Sequence, residues 1–469
     1  MERELEQLIL VFSPVSVIRQ VDDRTPTLLA EDTMSENVHP ERSESLNVGP
    51  EMPGFSEQSS MDAQPPVSRR FVVLYALAYV GTILLFLAPL LVSLSLKINA
   101  LVGTDRAPNS LSLVAGTGAF LAMFANPFFG KMSDRTTSRL GMRRPWMIIG
   151  LLGGSVGILV VALAPSIPVV LVGWCIAQVF FNALLAALIA VLPDQIPVAQ
   201  RGRVAGVLGI CLPVASVSGT YVVQLFTGNT LAMFLAPCAI GGFLILLFAV
   251  ALKDRHLAAT DKPAWSLREL TSAFYLNPWK HPDFAWAFAS RFMLVLAYAF
   301  LTTYQVYYLL EKLGSAAEDV PRQLFLATLA MSSVVVVASL LGGWLSDRAG
   351  RRKVFVASAS VVFGLALFVI ALATSFNGFV VGMAIGGLGF GFYTAVDLAL
   401  VADVLPDPNS AAKDLGVMNI AGALPSSVAP AIAPAILALG HGSYSALYAV
   451  AGVCAVLGAG AIVRVKRVR

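Results

Sequence analysis

Charge is scarce in this chain: only 13% of its 469 residues are Asp, Glu, Lys or Arg, while 57% are hydrophobic. With a mean hydropathy of +0.76, this excludes a water-soluble globular protein, in which about a quarter of the residues would be charged. Cysteine is equally sparse. Cys175, Cys211, Cys238 and Cys454 fall in apolar runs without metal-like spacing, so they read as small buried apolar side chains and no metal site is expected. The four histidines, His39, His256, His281 and His441, lie in the tail, in loops or at the edges of apolar runs, which argues against a histidine proton relay inside a membrane. Also lacking is the glycine loop ending in Gly-Lys-Ser or Gly-Lys-Thr that cradles nucleotide phosphates. An ATP-driven pump, an enzyme and a bound cofactor are therefore not expected.

What the chain does have is apolar length. Twelve runs long enough to cross about 30 Å of hydrocarbon follow one another, from 71–96 to 442–463, and several are rich in the Gly and Ala that let membrane helices pack closely. The fold class is an all-α membrane protein of twelve transmembrane helices in two pseudo-symmetric six-helix bundles. With both termini cytoplasmic, the inner flanks carry 23 basic residues and the outer loops only Lys97, Arg106, Lys312 and Arg322. That imbalance obeys the positive-inside rule. The net charge of +4 then reflects topology and calls for no nucleic-acid partner.

The two halves repeat. Gly130-Lys-Met-Ser133-Asp134-Arg135 returns as Gly343-Trp-Leu-Ser346-Asp347-Arg348, and Val191-Leu-Pro193-Asp194 returns as Val404-Leu-Pro406-Asp407, both at an offset of 213 residues. Internal duplication of a six-helix unit is how many secondary transporters are built. The expected domains are a disordered, Glu/Ser/Pro-rich tail over 1–70, bundles over 71–252 and 284–463, a linker over 253–283 and a basic tail over 464–469. The apolar patch Leu8–Ile18 is too short to span and follows an acidic opening unlike that of a signal peptide. Initiation at Met34, Met52 or Met61 would leave only a short basic lead.

The first motif loop continues as Asp134-Arg135-Thr-Thr-Ser-Arg139-Leu-Gly141-Met-Arg143-Arg144-Pro145-Trp146. It resembles the signature of the major facilitator superfamily and, in this longer form, the glycoside-pentoside-hexuronide cation symporters and the sucrose transporters of plants and animals. The second loop, Asp347-Arg348-Ala-Gly350-Arg351-Arg352-Lys353, is similar to the shorter general version. The resemblance implies a cytoplasmic latch of Gly130, Asp134, Arg135 and Arg144, with Gly343, Asp347, Arg348 and Arg352, that ties the halves when the transporter faces outward. In physical terms, Gly130 would let the second span end tightly, the arginines would supply forked donors, and Asp134 would accept from them or face a helix N-terminus. The alternative is a basic loop that serves topology alone.

This chain also departs from the resemblance. Sodium-coupled members carry carboxylates where this sequence has Ala122 and Asn126, and plant sucrose transporters carry a fourth-span aspartate where it has Gln178. Neither coupling site transfers.

A charge at membrane depth costs about 2.5–3.5 kcal/mol on insertion scales, so each one invites a functional reading. Asp397 and Arg291 lie at similar depth in the tenth and seventh spans, roughly 7–10 Å from the motif side, and could meet as a proton-coupling pair or as a structural salt bridge. Because the superfamily lines its cavity with spans 1, 4, 7 and 10, a sugar site would draw on Tyr75, Tyr79, Gln178, Asn182, Tyr304, Gln305 and Tyr393. Tyrosines also serve membrane interfaces and helix packing. Pro89, Pro213 and Pro425 are candidate kinks.

The reading is a multi-pass transporter of the cell (plasma or inner) membrane whose partners are the lipid bilayer, a small polar solute, and protons. Sugar or glycoside symport is the first expectation; a proton-antiport exporter of drugs or metabolites and a transport-inactive receptor or scaffold are the alternatives. Nothing implies oligomerisation, so a monomer is expected.

Overall fold

The structure, a computed structural model, describes residues 66–258, 260, 281–404 and 411–466. The tail expected over 1–70, apart from 66–70, lies outside the described residues, as do most of the linker and residues 467–469. Twelve helices are long and apolar enough to cross a membrane. They are α1 (Arg69–Val102), α2 (Ala107–Asp134), α3 (Arg144–Leu163), α4 (Ile167–Gln195), α5 (Val198–Leu225) and α6 (Thr230–Ala251) in the first half. The second half holds α7 (Pro282–Lys312), α8 (Val320–Ala349), α9 (Arg352–Leu372), α10 (Phe376–Val404), α11 in two pieces (Ala411–Ala423 and Pro425–Leu439) and α12 (Tyr444–Val463).

The helix pairings repeat between the halves. In the first, α1 packs on α5 and α6 while α4 packs on α2 and α3; in the second, α7 packs on α11 and α12 while α10 packs on α8 and α9. Small residues make these approaches possible. A Cβ on Gly157 of α3 would lie 2.5 Å from the Ala177 nitrogen of α4, and one on Gly389 of α10 would lie 2.6 Å from the Phe363 nitrogen of α9. The halves meet along two seams, α5 against α8 and α2 against α11. Large apolar side chains such as Leu163, Phe243, Leu372 and Leu439 are exposed on the outer faces, an arrangement suited to hydrocarbon rather than water.

Several local expectations change. α2 runs through Gly130 to Asp134, and α8 through Gly343 to Ala349, so neither glycine ends its helix. α8 ends instead at Gly350, which adopts a left-handed φ of 61° and donates its N–H to Ser346 O at 3.0 Å. Of the three candidate kinks, Pro425 follows the break in α11 and Pro89 opens a π-turn in α1 (Pro89–Ser93), but α5 continues through Pro213. A second π-turn, Tyr308–Lys312, ends α7 with no proline to announce it.

Candidate functional site

At the motif end, Arg143 organises the first loop. Arg143 is 4% exposed, and its guanidinium pairs with Asp134 at 2.6 Å and Asp194 at 2.7 Å, while also donating to Ser133 Oγ. Burial alone would weaken its hold on the proton, but the hydrogen bond and charge of Asp194, with those of Asp134, outweigh this and raise its pKa. Arg135 and Arg144 are the arginines expected in the latch from the motif. Arg144 lies in the first turn of α3 and donates to Val250 O of α6 at 3.1 Å; Arg135 closes α2 with its backbone N–H on Met132 O. Gly130 makes only an ordinary approach, since a Cβ there would touch Ala186 at 4.0 Å.

In the second loop Arg348 lies over the Trp344 ring at 5.4 Å, and Arg352 opens α9. The side chain of Asp347, and all of Asp407, lie outside the described residues.

Within the second bundle, Arg291 of α7 and Asp397 of α10 meet at 2.8 Å, both mostly buried. The guanidinium lies against α11, where a Cβ on Gly422 would be 3.4 Å from it. Tyr393, one turn before Asp397, is beside the carboxylate and 4% exposed. Its ring neighbours Phe390, which stacks on Tyr298 of α7 with centroids 4.3 Å apart. Tyr298 and Phe390 escaped the sequence reading, although a signal was present. Each lies seven residues from a member of the ion pair, Arg291 or Asp397, hence on the same helix face.

Gln305 lies apart from the pair. It is buried beside a cavity of about 40 Å³ at the α5–α8 seam, with hydroxyls from Ser216, Thr302, Thr328 and Ser332 around it. Tyr304 does not line that cavity. Its hydroxyl bonds Ser112 Oγ at 3.2 Å and Pro430 O at 3.5 Å, while Tyr307 donates to Ser95 O at 3.2 Å and Ala107 O at 3.5 Å. Apart from the Tyr304–Pro430 bond, which stays within the second half, these bonds cross between the halves at the end opposite the motif loops, and both tyrosines are fully buried there.

The remaining candidates are packing residues in this state. Tyr75 donates to Leu188 O of α4 at 3.0 Å and packs on Phe248 of α6, with Tyr79 edge-on at 6.4 Å. Asn182 donates to the Gln178 backbone carbonyl at 2.8 Å and to its side-chain Oε1 at 3.4 Å, so these two are bonded to each other within α4. Among the described residues no three of His, Cys, Asp and Glu converge as metal ligands would.

This arrangement, two repeated bundles with an ion pair between two helices of one bundle and a buried tyrosine seal between the two, is that of a membrane transporter. The Major Facilitator Superfamily model matches residues 71–336 and 321–469, and the chain belongs to that superfamily, a transporter and not an enzyme. Among solved structures, a D-xylose–proton symporter superposes with a TM-score of 0.66 at 14% identity, covering 85% of this chain and 99% of its own. The nucleoside transporter NupG gives 0.65 at 13%, covering 85% and 100%. Curated relatives match locally. The drug efflux pump JefA of Mycobacterium tuberculosis is 34% identical over 110 residues, 22% of this chain and 20% of that protein. The arabinose–proton symporter of Bacillus subtilis is 32% identical over 85 residues, 18% of each. The chain thus spans about a fifth of the length of these curated relatives.

Proposed function

We propose that this transporter moves a small polar organic solute, a sugar or glycoside, in symport with protons by alternating access. The observation that carries the reading is the Arg291–Asp397 pair, held at 2.8 Å between two helices of the second bundle. A carboxylate in that position is neutralised either by the guanidinium or by a proton, so motion that separates α7 from α10 exchanges one for the other. The first-half equivalents, Ala78 and Leu184, carry no charge, which confines coupling to one half. The solute side draws on the stacked Tyr298 and Phe390, on Tyr393, and on the amide and hydroxyls around Gln305.

The motif loops and both termini are cytoplasmic in this reading, and the protein is a monomer of the plasma or inner membrane. The tyrosine bonds then seal the outer end, and the Arg143 cluster, whose bonds lie within the first bundle, acts as the latch by shaping the inner face that the second bundle meets on closing. The long form of the first loop favours the glycoside-pentoside-hexuronide and sucrose group. Proton-coupled export of a drug or metabolite is the second reading, favoured by the local match to an efflux pump and by the apolar walls Met331 and Met383.

A panel of radiolabelled sugars and glycosides, offered to proteoliposomes with and without an imposed proton gradient, tests the reading. Gradient-stimulated accumulation of at least one sugar is expected. Accumulation of none, with extrusion of lipophilic cations, would replace symport by export.

A further inference from the structure

The linker does not simply leave α6; its first residues are bonded to the motif loop. Asp254 Oδ2 accepts the backbone N–H of Arg143 at 2.7 Å and that of Arg144 at 2.8 Å. Met142 N–H donates to Arg255 O at 3.0 Å, and Gln195, the last residue of α4, donates to Lys253 O at 2.7 Å. Gly141 makes the approach possible: its φ is +100°, and a Cβ there would overlap the Asp254 carboxylate.

The need for this contact follows from Arg143 itself. Arg143 is the N-cap of α3, where a Ser, Thr, Asp or Asn oxygen ordinarily accepts from the first turn and where a positive charge opposes the helix dipole. Its side chain makes no cap bond, since a guanidinium has no acceptor to offer, and it is turned to Asp134 and Asp194. Asp254 supplies the missing acceptor and a compensating negative charge from a different segment.

We propose that Asp254 is a positioning residue of the latch. By holding the Arg143 backbone it aims the guanidinium at Asp134 and Asp194, which makes the start of the linker between the bundles part of the switch. The inference rests on reading the first motif loop as a latch.

The test uses the full chain, with its four cysteines replaced and spin labels at Arg139→Cys and Arg351→Cys, to follow the distance across the motif face by pulsed electron paramagnetic resonance. Asp254→Ala should lower the ratio of closed to open populations about fivefold, the usual cost of a lost cap. Asp254→Asn, which keeps an acceptor oxygen, should restore most of it. Gly141→Ala, which displaces the carboxylate without removing it, should reproduce the Asp254→Ala shift. In an Asp134→Asn background Asp254→Ala should add clearly less than it does in the wild type, because both act through Arg143, with only Asp194 left to lose; a contribution to stability alone would add independently. If Asp134→Asn shifts the populations while Asp254→Ala leaves them unchanged or shifts them additively, the positioning role is overturned and the latch stands. If Asp134→Asn itself shifts nothing, the latch and this inference fall together.

Discussion

Arg291 and Asp397 hold each other neutral at a depth where a lone charge is expensive, and the cost of breaking them apart makes their roles separable. Removing one partner of a buried pair costs about 3–5 kcal/mol because the other charge is stranded. Asp397→Asn should therefore abolish accumulation against a gradient while leaving solute exchange, and also lower the melting temperature. Arg291→Gln added to Asp397→Asn should recover the melting temperature without restoring accumulation. A double variant that accumulates solute like the wild type would make the pair structural only. Ala122 and Asn126 carry no carboxylate, so replacing sodium by choline should leave uptake unchanged; a sodium requirement at fixed pH would reveal a cation site elsewhere. Residues of this kind are legible in sequence because an ionisable group in an apolar run stands out. Arg143 was harder to read: two adjacent arginines have the same chemistry. Only the turn into α3 decides that Arg143 reaches Asp134 and Asp194 while Arg144 reaches α6.

Among the helices, α7 takes part in both events, carrying Arg291 near one end and the tyrosine seal and π-turn near the other. The Tyr307 hydroxyl reaches Ser95 just beyond the π-turn of α1, so the two interrupted helices face each other where the halves are bonded. A typical intramolecular hydrogen bond contributes about 1 kcal/mol net, so Tyr307→Phe should raise the population open at that end about fivefold. Spin labels at Asn109→Cys and Lys312→Cys, on the first and second halves, should report a longer distance in that fraction. An unchanged distribution would reduce Tyr307 to packing. At the other end, Asp134→Asn removes one partner of Arg143 and should shift the motif face toward open by about tenfold, within the usual range of conformational coupling energies. The spans themselves were legible because hydropathy sets helix length. The π-turn of α7 and the run of α2 past Gly130 were not, because no proline or other residue in the sequence announces them.

Across the whole molecule, the 213-residue repeat in sequence becomes a repeat in packing, with α1 on α5 and α6 matched by α7 on α11 and α12. Two similar bundles joined along two seams can rock about them, and the bonds that differ between the ends determine which end is shut. The repeat was readable from a few residues, since loops with special chemistry are recognisable across a duplication. The placement of Tyr75, Gln178 and Asn182 was less legible for the opposite reason: membership of a cavity-lining helix does not fix which face a side chain takes, and in this structure they contact Leu188, Phe248 and the α4 backbone. The central claim is that solute and proton move together through Asp397. The most direct measurement is the pH inside proteoliposomes containing a trapped dye, recorded when a transported sugar is added with no imposed gradient. The account predicts acidification of the lumen with wild-type protein and none with Asp397→Asn, although the sugar still equilibrates. Proton uptake of equal size in Asp397→Asn, or sugar uptake by the wild type with no change in pH, would contradict it.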